Sequence, residues 1–392
     1  MRVCVVGPGT RFLSGITYYT YNLVDALSER VETQALLLRR LLPRFLYPGA
    51  ARVGQQITTL ELPGTVKRYD GIDWYWSITL VRALAFLRRE RPTVLVLQWW
   101  TGTALHTYLA LALAARLLGI RLVIEFHEAL DTGEERIPVV GGYVRALAPR
   151  LFRRADAHVV HSDYDRELVC GRYGLDPAGV AVIPHAVYHH YAGGRRTREA
   201  PEGCCNLLFF GVIRPYKGLE DLVRAFELIP EGELDRYWLT VVGETWEGHD
   251  EPLELIARSP RADRITLVNR YVTDEEADGW FGGADIVVLP YHRSSQSGPL
   301  HMAFAYGLPV VATSVGGLPE AAAEYAGSVL VPPRDPAALL AGIAQASMLT
   351  GRSFAHPQSF SRTAERYLEL LANLEKSADA GGRLPPVPAT GR

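Results

Sequence analysis

Two cations three residues apart, Arg214 and Lys217, lie between Gly211 and Gly218 in the run Leu207-Leu-Phe-Phe-Gly-Val-Ile-Arg-Pro-Tyr-Lys-Gly-Leu-Glu-Asp-Leu-Val-Arg-Ala-Phe226. An apolar segment ends at the first glycine, and an amphipathic segment opens at the second. Strand, turn, paired cations and helix N-terminus together make an anion site. The helix end offers N–H groups with no intrahelical partner and the positive end of a dipole. Arginine can fork onto phosphate oxygens, and lysine acts as a mobile point charge. The same residues also suit a solvated pair on an ordinary strand-to-helix turn, so this run alone leaves both readings open.

Three further clusters carry chemistry. Gly7-Pro-Gly9-Thr-Arg-Phe-Leu-Ser14-Gly15 leads into a helix over Ile16–Glu29 whose buried stripe is Ile16, Tyr19, Leu23 and Leu27. Glycine at a helix N-terminus lets a ligand approach the backbone, but the spacing is not that of a dinucleotide fingerprint. Val123-Ile-Glu125-Phe-His127-Glu128 places a histidine at the carboxyl end of a strand, where open α/β sheets bind ligands. A histidine there can bond a substrate hydroxyl or a developing charge, or simply be satisfied by backbone. Leu289-Pro-Tyr-His-Arg-Ser294-Ser-Gln296-Ser297-Gly298-Pro299-Leu300, with a helix over Met302–Tyr306, builds a second hydroxyl-rich anion cradle, or a serine-rich turn.

These residues need strands to hold them. Short apolar runs recur at Val3–Gly7, Ala35–Leu38, Val94–Gln98, Leu122–Phe126, His158–His161 and Val180–Pro184, then at Leu207–Gly211, Trp238–Gly243, Ile265–Val268, Ile286–Pro290, Val310–Thr313 and Val329–Val331. Continuous apolar strands separated by helical patterns indicate parallel sheets covered on both faces. Two sets of six predict an α/β chain with two doubly wound Rossmann-like domains. The expected boundaries are 1–189 for the N-terminal domain, 190–203 for a polar linker, 204–358 for the C-terminal domain, 359–375 for a crossover helix and 376–392 for a disordered tail.

The 392 residues are 48% apolar with a net charge of -2, which favours neither nucleic acid nor membrane. The two halves differ: residues 1–190 carry 22 Lys/Arg and 17 Asp/Glu, and the rest 19 and 26. The basic N-terminal half is the expected face for an anionic partner. Four cysteines without metal-type spacing read as reduced thiols. The N-terminal apolar run reaches Gly7 too soon for a signal peptide, and the longest apolar stretch, from Tyr108 to Leu118, is too short for a membrane span.

Phe210-Gly-x-x-Arg214-x-x-Lys217-Gly218 and Ala305-Tyr-Gly307-Leu-Pro309-Val-Val-Ala-Thr313-x-x-Gly316-Gly317-Leu-Pro319-Glu320 resemble the donor-binding signature of retaining GT-B glycosyltransferases of family 4. Ser14-Gly15, His127, Arg154-Ala-Asp-Ala-His-Val-Val-His-Ser162, Val182-Ile-Pro-His-Ala-Val187, Val241-Val-Gly243 and Ala284-Asp-Ile-Val-Val-Leu-Pro290 agree in order, so the resemblance covers residues 1–374. It implies two facing Rossmann-like domains, a cleft between them, and a C-terminal helix crossing back to brace the first.

It also implies roles. Arg214 and Lys217 grip the diphosphate of a sugar nucleotide, UDP-sugar first and GDP-sugar next. Gly211, Gly218 and Gly243 let the donor approach, and Ser14 and Gly15 close over the diphosphate. Ser294, Gln296, Ser297, Gly298, Pro299 and Leu300 lie against phosphate and sugar, Tyr271 and Val272 present backbone to the base, and His127 contacts the sugar near the reacting carbon. No metal or cofactor is implied. The chain departs from the family where two glutamates eight residues apart should fall, at Ser294 and Met302. A thioether is a poor acceptor, so Met302 cannot hold a ribose hydroxyl as a glutamate would.

The expected reaction is retaining transfer to a hydroxyl acceptor (a glycan, a lipid-linked sugar or a natural product) by a front-face route. The alternative is a non-catalytic GT-B protein that binds a sugar nucleotide or a partner enzyme. Arg39-Arg40-Leu-Leu-Pro-Arg44-Phe-Leu-Tyr47, with Arg145, Arg150, Arg153 and Arg154, suits an anionic bilayer as well as a solvated face. The expected location is cytoplasmic, with peripheral association at the inner membrane face as an option. No nucleic-acid partner is expected.

Overall fold

The computed structural model describes residues 1–10, 15–40, 60–128, 138–188, 193–246 and 248–379. Two compact units emerge, Met1–His185 joined by Phe360–Arg392, and Ala186–Ser359. Each holds one fully parallel sheet between helices, the expected doubly wound α/β architecture.

The first unit contains β1 (Arg2–Pro8), α1 (Gly15–Ser28), β2 (Glu32–Arg40), β3 (Lys67–Asp73), α2 (Ser77–Glu90), β4 (Val94–Trp99), α3 (Leu105–Leu118), β5 (Arg121–Phe126), α4 (Pro138–Phe152), β6 (Ala157–Val160), α5 (Asp163–Tyr173) and β7 (Val180–Val182). Its strand order is β3-β2-β1-β4-β5-β6-β7, with the reversal between β1 and β4. Alternate strand residues explain the double coverage. Cys4, Val6, Leu95, Leu97, Leu122 and Ile124 bury against α2, α3 and α4, while Val3, Val5, Val94, Val96 and Val123 bury against α1. The helix α12 (Phe360–Asp379) returns to that second face, where Tyr367 and Leu371 are fully buried.

The second unit contains β8 (Cys205–Phe210), α6 (Leu219–Glu227), β9 (Tyr237–Val242), α7 (Glu251–Arg258), β10 (Ile265–Val268), α8 (Asp274–Gly282), β11 (Ile286–Leu289), α9 (Gly298–Ala305), β12 (Val310–Thr313), α10 (Leu318–Ala322), β13 (Ser328–Val331) and α11 (Pro336–Ser347). Its order is β10-β9-β8-β11-β12-β13, reversing between β8 and β11. Parallel strands close into such a sheet through right-handed crossovers, and the reversal leaves a crevice at the carboxyl ends.

Three expectations are corrected. The first sheet has seven strands, not six: Lys67-Arg-Tyr-Asp-Gly-Ile-Asp73 pairs with β2 as the edge strand, and an edge tolerates charge that a central strand does not. Residues 193–200, expected within the linker 190–203, form a fixed strap on α8. Thr197 N donates to Gly279 O at 2.8 Å, Gly193 N donates to Asp278 Oδ1 at 3.0 Å, and Arg198 donates to Gly283 O and Asp285. A Cβ on Gly279 would meet Thr197 Oγ1 at 2.4 Å and one on Gly282 would meet Arg195 O at 2.2 Å, so α8 lies this close only because it carries glycine at both positions. Finally, α12 continues through Asp379, past the boundary at 376 expected for the tail.

Candidate active site

In the second unit the expected donor residues gather at the carboxyl ends of β8, β9, β11 and β12. Gly211 follows β8 at φ 116°, and a Cβ there would touch Pro299 Cγ at 3.5 Å. This contact joins the end of β8 to the start of α9 across the strand reversal. Gly243 follows β9, where a Cβ would collide with Gly211 O at 1.9 Å. Gly218, at φ 63°, lies so close to Pro290 that a Cβ would stand 2.0 Å from its carbonyl oxygen. Gly316 approaches Ser294 as tightly, with a Cβ 1.7 Å from Ser294 O. Only glycine allows these backbones to meet.

On this frame Arg214 opens the 3-10 turn Pro215–Lys217. Its guanidinium lies over the Trp246 ring at 4.5 Å, and Trp246 is itself held by Glu244 Oε2 at 2.8 Å. The Arg214 side chain forms no hydrogen bond or ion pair among the described residues, and its Nε is buried. A guanidinium stacked on an indole keeps its N–H fork available for an oxyanion. Lys217 Nζ sits 3.7 Å above the Tyr291 ring, and burial pushes the Tyr291 phenol pKa up, so the ring beneath the ammonium stays neutral. The turn is braced from behind, since His292 N donates to Tyr216 O at 2.8 Å and His292 Nε2 bonds Asp221 Oδ2 at 2.7 Å.

Ser297 caps α9, accepting from Leu300 N at 3.3 Å, and donates to Tyr291 Oη at 3.3 Å. The helix begins at Gly298, four residues before the expected Met302, because this serine cap and Pro299 at its first turn start it there. Ser294 Oγ donates to Gln296 O at 2.8 Å. Leu300 and Met302 are buried side chains of α9. Met302 is thus part of the packing at the place where a glutamate was expected. Tyr271 and Val272 follow β10, the edge strand, two strands from β8. Arg270 bonds Tyr271 O at 3.3 Å, and Val272 is buried.

In the first unit Gly15 begins α1, exposed and with open space around a notional Cβ, and Ser14 lies outside the described residues. His127 follows β5 and is buried with both ring nitrogens engaged inside the unit. Nε2 bonds Gln98 Oε1, and Nδ1 meets His161 Nε2 at 3.1 Å. A hydrogen bond from this ring to a sugar hydroxyl would have to replace one of these links. Glu125 anchors the group, accepting from Tyr19 Oη at 2.6 Å and Gln98 Nε2 at 2.5 Å. Burial, then the neighbouring His161, hold the His127 pKa well below the usual imidazole range.

Of the basic residues considered for a membrane face, Arg39 is committed to buried Asp73, at 2.5 Å. Residues 41–47 lie outside the described residues. Arg145, Arg150, Arg153 and Arg154 are exposed on and just after α4. The neighbouring α3 exposes Leu113 and Leu117, and α2 exposes Ile78 and Val81. Among the described residues no helix is long and apolar enough to cross a membrane.

Comparison with known proteins agrees with this geometry. The family described as "Glycosyl transferases group 1" matches residues 204–347, and the "Glycosyl transferase 4-like domain" matches residues 14–186. The D-inositol 3-phosphate glycosyltransferase of Streptomyces scabiei is 27% identical over 402 residues, covering 90% of this chain and 84% of that protein. The enzyme of the same name from Pseudarthrobacter chlorophenolicus is 27% identical over 80% of this chain and 77% of its own length. Among solved structures, a glycosyltransferase from Rickettsia africae superposes with TM-score 0.66 at 13% identity, covering 96% of this chain and 98% of that one. Anabaena HepE in complex with UDP and glucose superposes with TM-score 0.62 at 15% identity, covering 95% and 99%.

Proposed function

We infer that this chain, a glycosyltransferase of the GT-B fold and the family 4 type, moves a sugar from a nucleotide-diphosphate sugar to a hydroxyl acceptor with retention at the anomeric carbon. The carrying observation is Arg214, a cation stacked on Trp246 with no anionic partner among the described residues at the crevice of the second sheet. A diphosphate is the ligand that such a fork, a nearby lysine and a helix N-terminus recognise together. HepE, solved with UDP, supports UDP-sugar as the first donor, with GDP-sugar next.

In this reading the acceptor hydroxyl attacks on the face from which the diphosphate leaves. The bond from the anomeric carbon to the acceptor oxygen forms as the bond to the phosphate oxygen breaks, and the hydroxyl proton passes to that phosphate oxygen. Arg214 and Lys217 offset the charge that develops on the leaving group, and positioning supplies the rest. With Ser294 and Met302 in place of carboxylates, the two cations take a larger share of donor binding than in a relative with both glutamates. His127 serves here as a positioning residue that ties the ends of β4, β5 and β6 together.

The names of the relatives from Streptomyces scabiei and Pseudarthrobacter chlorophenolicus support testing an inositol phosphate first in an acceptor panel. The exposed arginines and apolar side chains of α2, α3 and α4 support a lipid-linked acceptor at an anionic membrane as second. The reading is tested by incubating the protein with UDP-, GDP-, ADP- and dTDP-sugars and measuring binding and slow hydrolysis. Response to one nucleotide class is expected. Silence to all four, from folded protein, returns the non-catalytic alternative.

A further inference from the structure

The buried group at the carboxyl ends of β4, β5 and β6 has a polarity that its own hydrogens do not satisfy. Both Glu125 carboxyl oxygens accept, Oε1 from the Tyr19 hydroxyl and Oε2 from the Gln98 NH₂ group. That orientation turns the Gln98 carbonyl oxygen toward His127, whose Nε2 must then carry the hydrogen. The Ile183 carbonyl also only accepts, so His161 Nδ1, 3.0 Å away, carries its hydrogen as well. With those hydrogens committed outward, His127 Nδ1 and His161 Nε2 turn their electron-pair sides to each other across 3.1 Å. Glu125 Oε1 adds a third electron-pair donor 3.9 Å from His161 Nε2. All three residues are buried, so no bulk water relieves the repulsion.

We propose that Glu125, His127 and His161 bind one divalent transition-metal ion of the zinc class. Two imidazoles and a carboxylate are a zinc ligand set that leaves a fourth position open. Bonds of about 2.0–2.1 Å in a tetrahedron put ligand atoms roughly 3.3 Å apart. The observed 3.1 and 3.9 Å lie on either side of that spacing, and all three ligand atoms lie within 4.8 Å of one another. Each histidine already gives its outer N–H to a carbonyl oxygen, and the carboxylate is held by two donors; metal-binding residues are oriented by such partners. Its three residues belong to the first unit, and its test reads metal binding, which does not depend on the transfer reaction.

The full chain is treated with chelator, dialysed, and titrated with Zn²⁺ by equilibrium dialysis and with Co²⁺ by visible absorption. Wild type is expected to hold one Zn²⁺ per chain at low micromolar concentration and to give the intense Co²⁺ bands of a four-coordinate site. Gln98→Ala should weaken binding about 10–100-fold through loss of the outer partner, and His161→Gln should remove the bands. His249→Ala, which breaks a separate Glu220–His249–Glu251 group, should keep them. Wild type with neither zinc retention nor bands overturns the proposal and leaves a shared proton between the rings. So does a pattern in which His249→Ala loses the ion and His161→Gln keeps it. Should His161→Gln not fold, Glu125→Gln takes its place: loss of the bands supports the site and their persistence overturns it.

Discussion

Replacing Arg214 by methionine should separate what the residue does for the fold from what it does for the ligand. Methionine keeps an apolar stem against Trp246 and removes the guanidinium. On the side of stability, the change loses a cation–π contact of about 1 kcal/mol and relieves a buried Nε–H without an acceptor, a cost of about 1–3 kcal/mol. The ligand-free protein should therefore be unchanged or more stable by up to about 2 kcal/mol, which raises the Tm of a unit this size by up to roughly 4–8 °C. On the side of binding, a charge-assisted hydrogen bond contributes about 1.5–3 kcal/mol, and two parallel ones about 3–4 kcal/mol after partial relaxation. Affinity for UDP, or for whichever nucleotide the panel identifies, should fall about 10²–10³-fold. Isothermal titration gives the second quantity and a thermal melt the first. Wild-type nucleotide affinity in folded Arg214→Met would refute the diphosphate assignment. A Tm lower by more than about 5 °C would show that the guanidinium serves the fold instead.

Gly218→Ala forces a methyl against Pro290 O at a left-handed backbone position, so the cation turn must shift by about 1 Å; kcat/KM should drop about 10²-fold, read with the identified donor. Met302→Leu exchanges one buried apolar side chain for another, and nucleotide affinity by titration should stay within about twofold, because this position gives the ribose no hydrogen bond. Glu276, whose pKa is held down to about 2 first by Arg270, contributes stability that is present above the unfolded carboxylate range and lost as pH falls toward 2. Melts from pH 6 to 2.5 should accordingly show a shallower decline in Glu276→Gln than in wild type. In flotation with anionic liposomes, wild type should rise with the vesicles and a Leu113→Glu, Leu117→Glu double variant should remain below, with neutral vesicles binding neither.

Much of the second unit is legible from residue order, because a strand ending in glycine and a helix opening after it are local patterns. Ile265–Val268 and Val310–Thr313 form at the bounds their apolar runs suggest. β3 is not legible, since a polar edge strand shows no apolar run. The frame of the donor site is half legible: Arg214 and Lys217 announce a phosphate, but nothing in their spacing points to Trp246 or Tyr291 as the rings beneath them. The histidine cluster is hidden for the same reason. Its links span 27, 29 and 34 residues, and they exist only because β4, β5 and β6 are neighbours in the sheet. Three strand ends meeting in space leave no periodic trace along the chain.

The first unit is discontinuous, and this sets a timetable for its birth on the ribosome. Its second face is closed by Tyr367 and Leu371 of α12, which are made after everything in the second unit. The 174 residues from Ala186 to Ser359, at about 5–20 residues per second, take roughly 9–35 s to emerge. During that interval Tyr19, Leu23 and the odd-numbered valines of β1 lack their last cover. The nascent chain therefore displays an apolar groove in the shape of one helix for many seconds, long enough for a chaperone to occupy it. A chain released before Phe360 would keep a complete second unit beside a first unit that cannot finish folding.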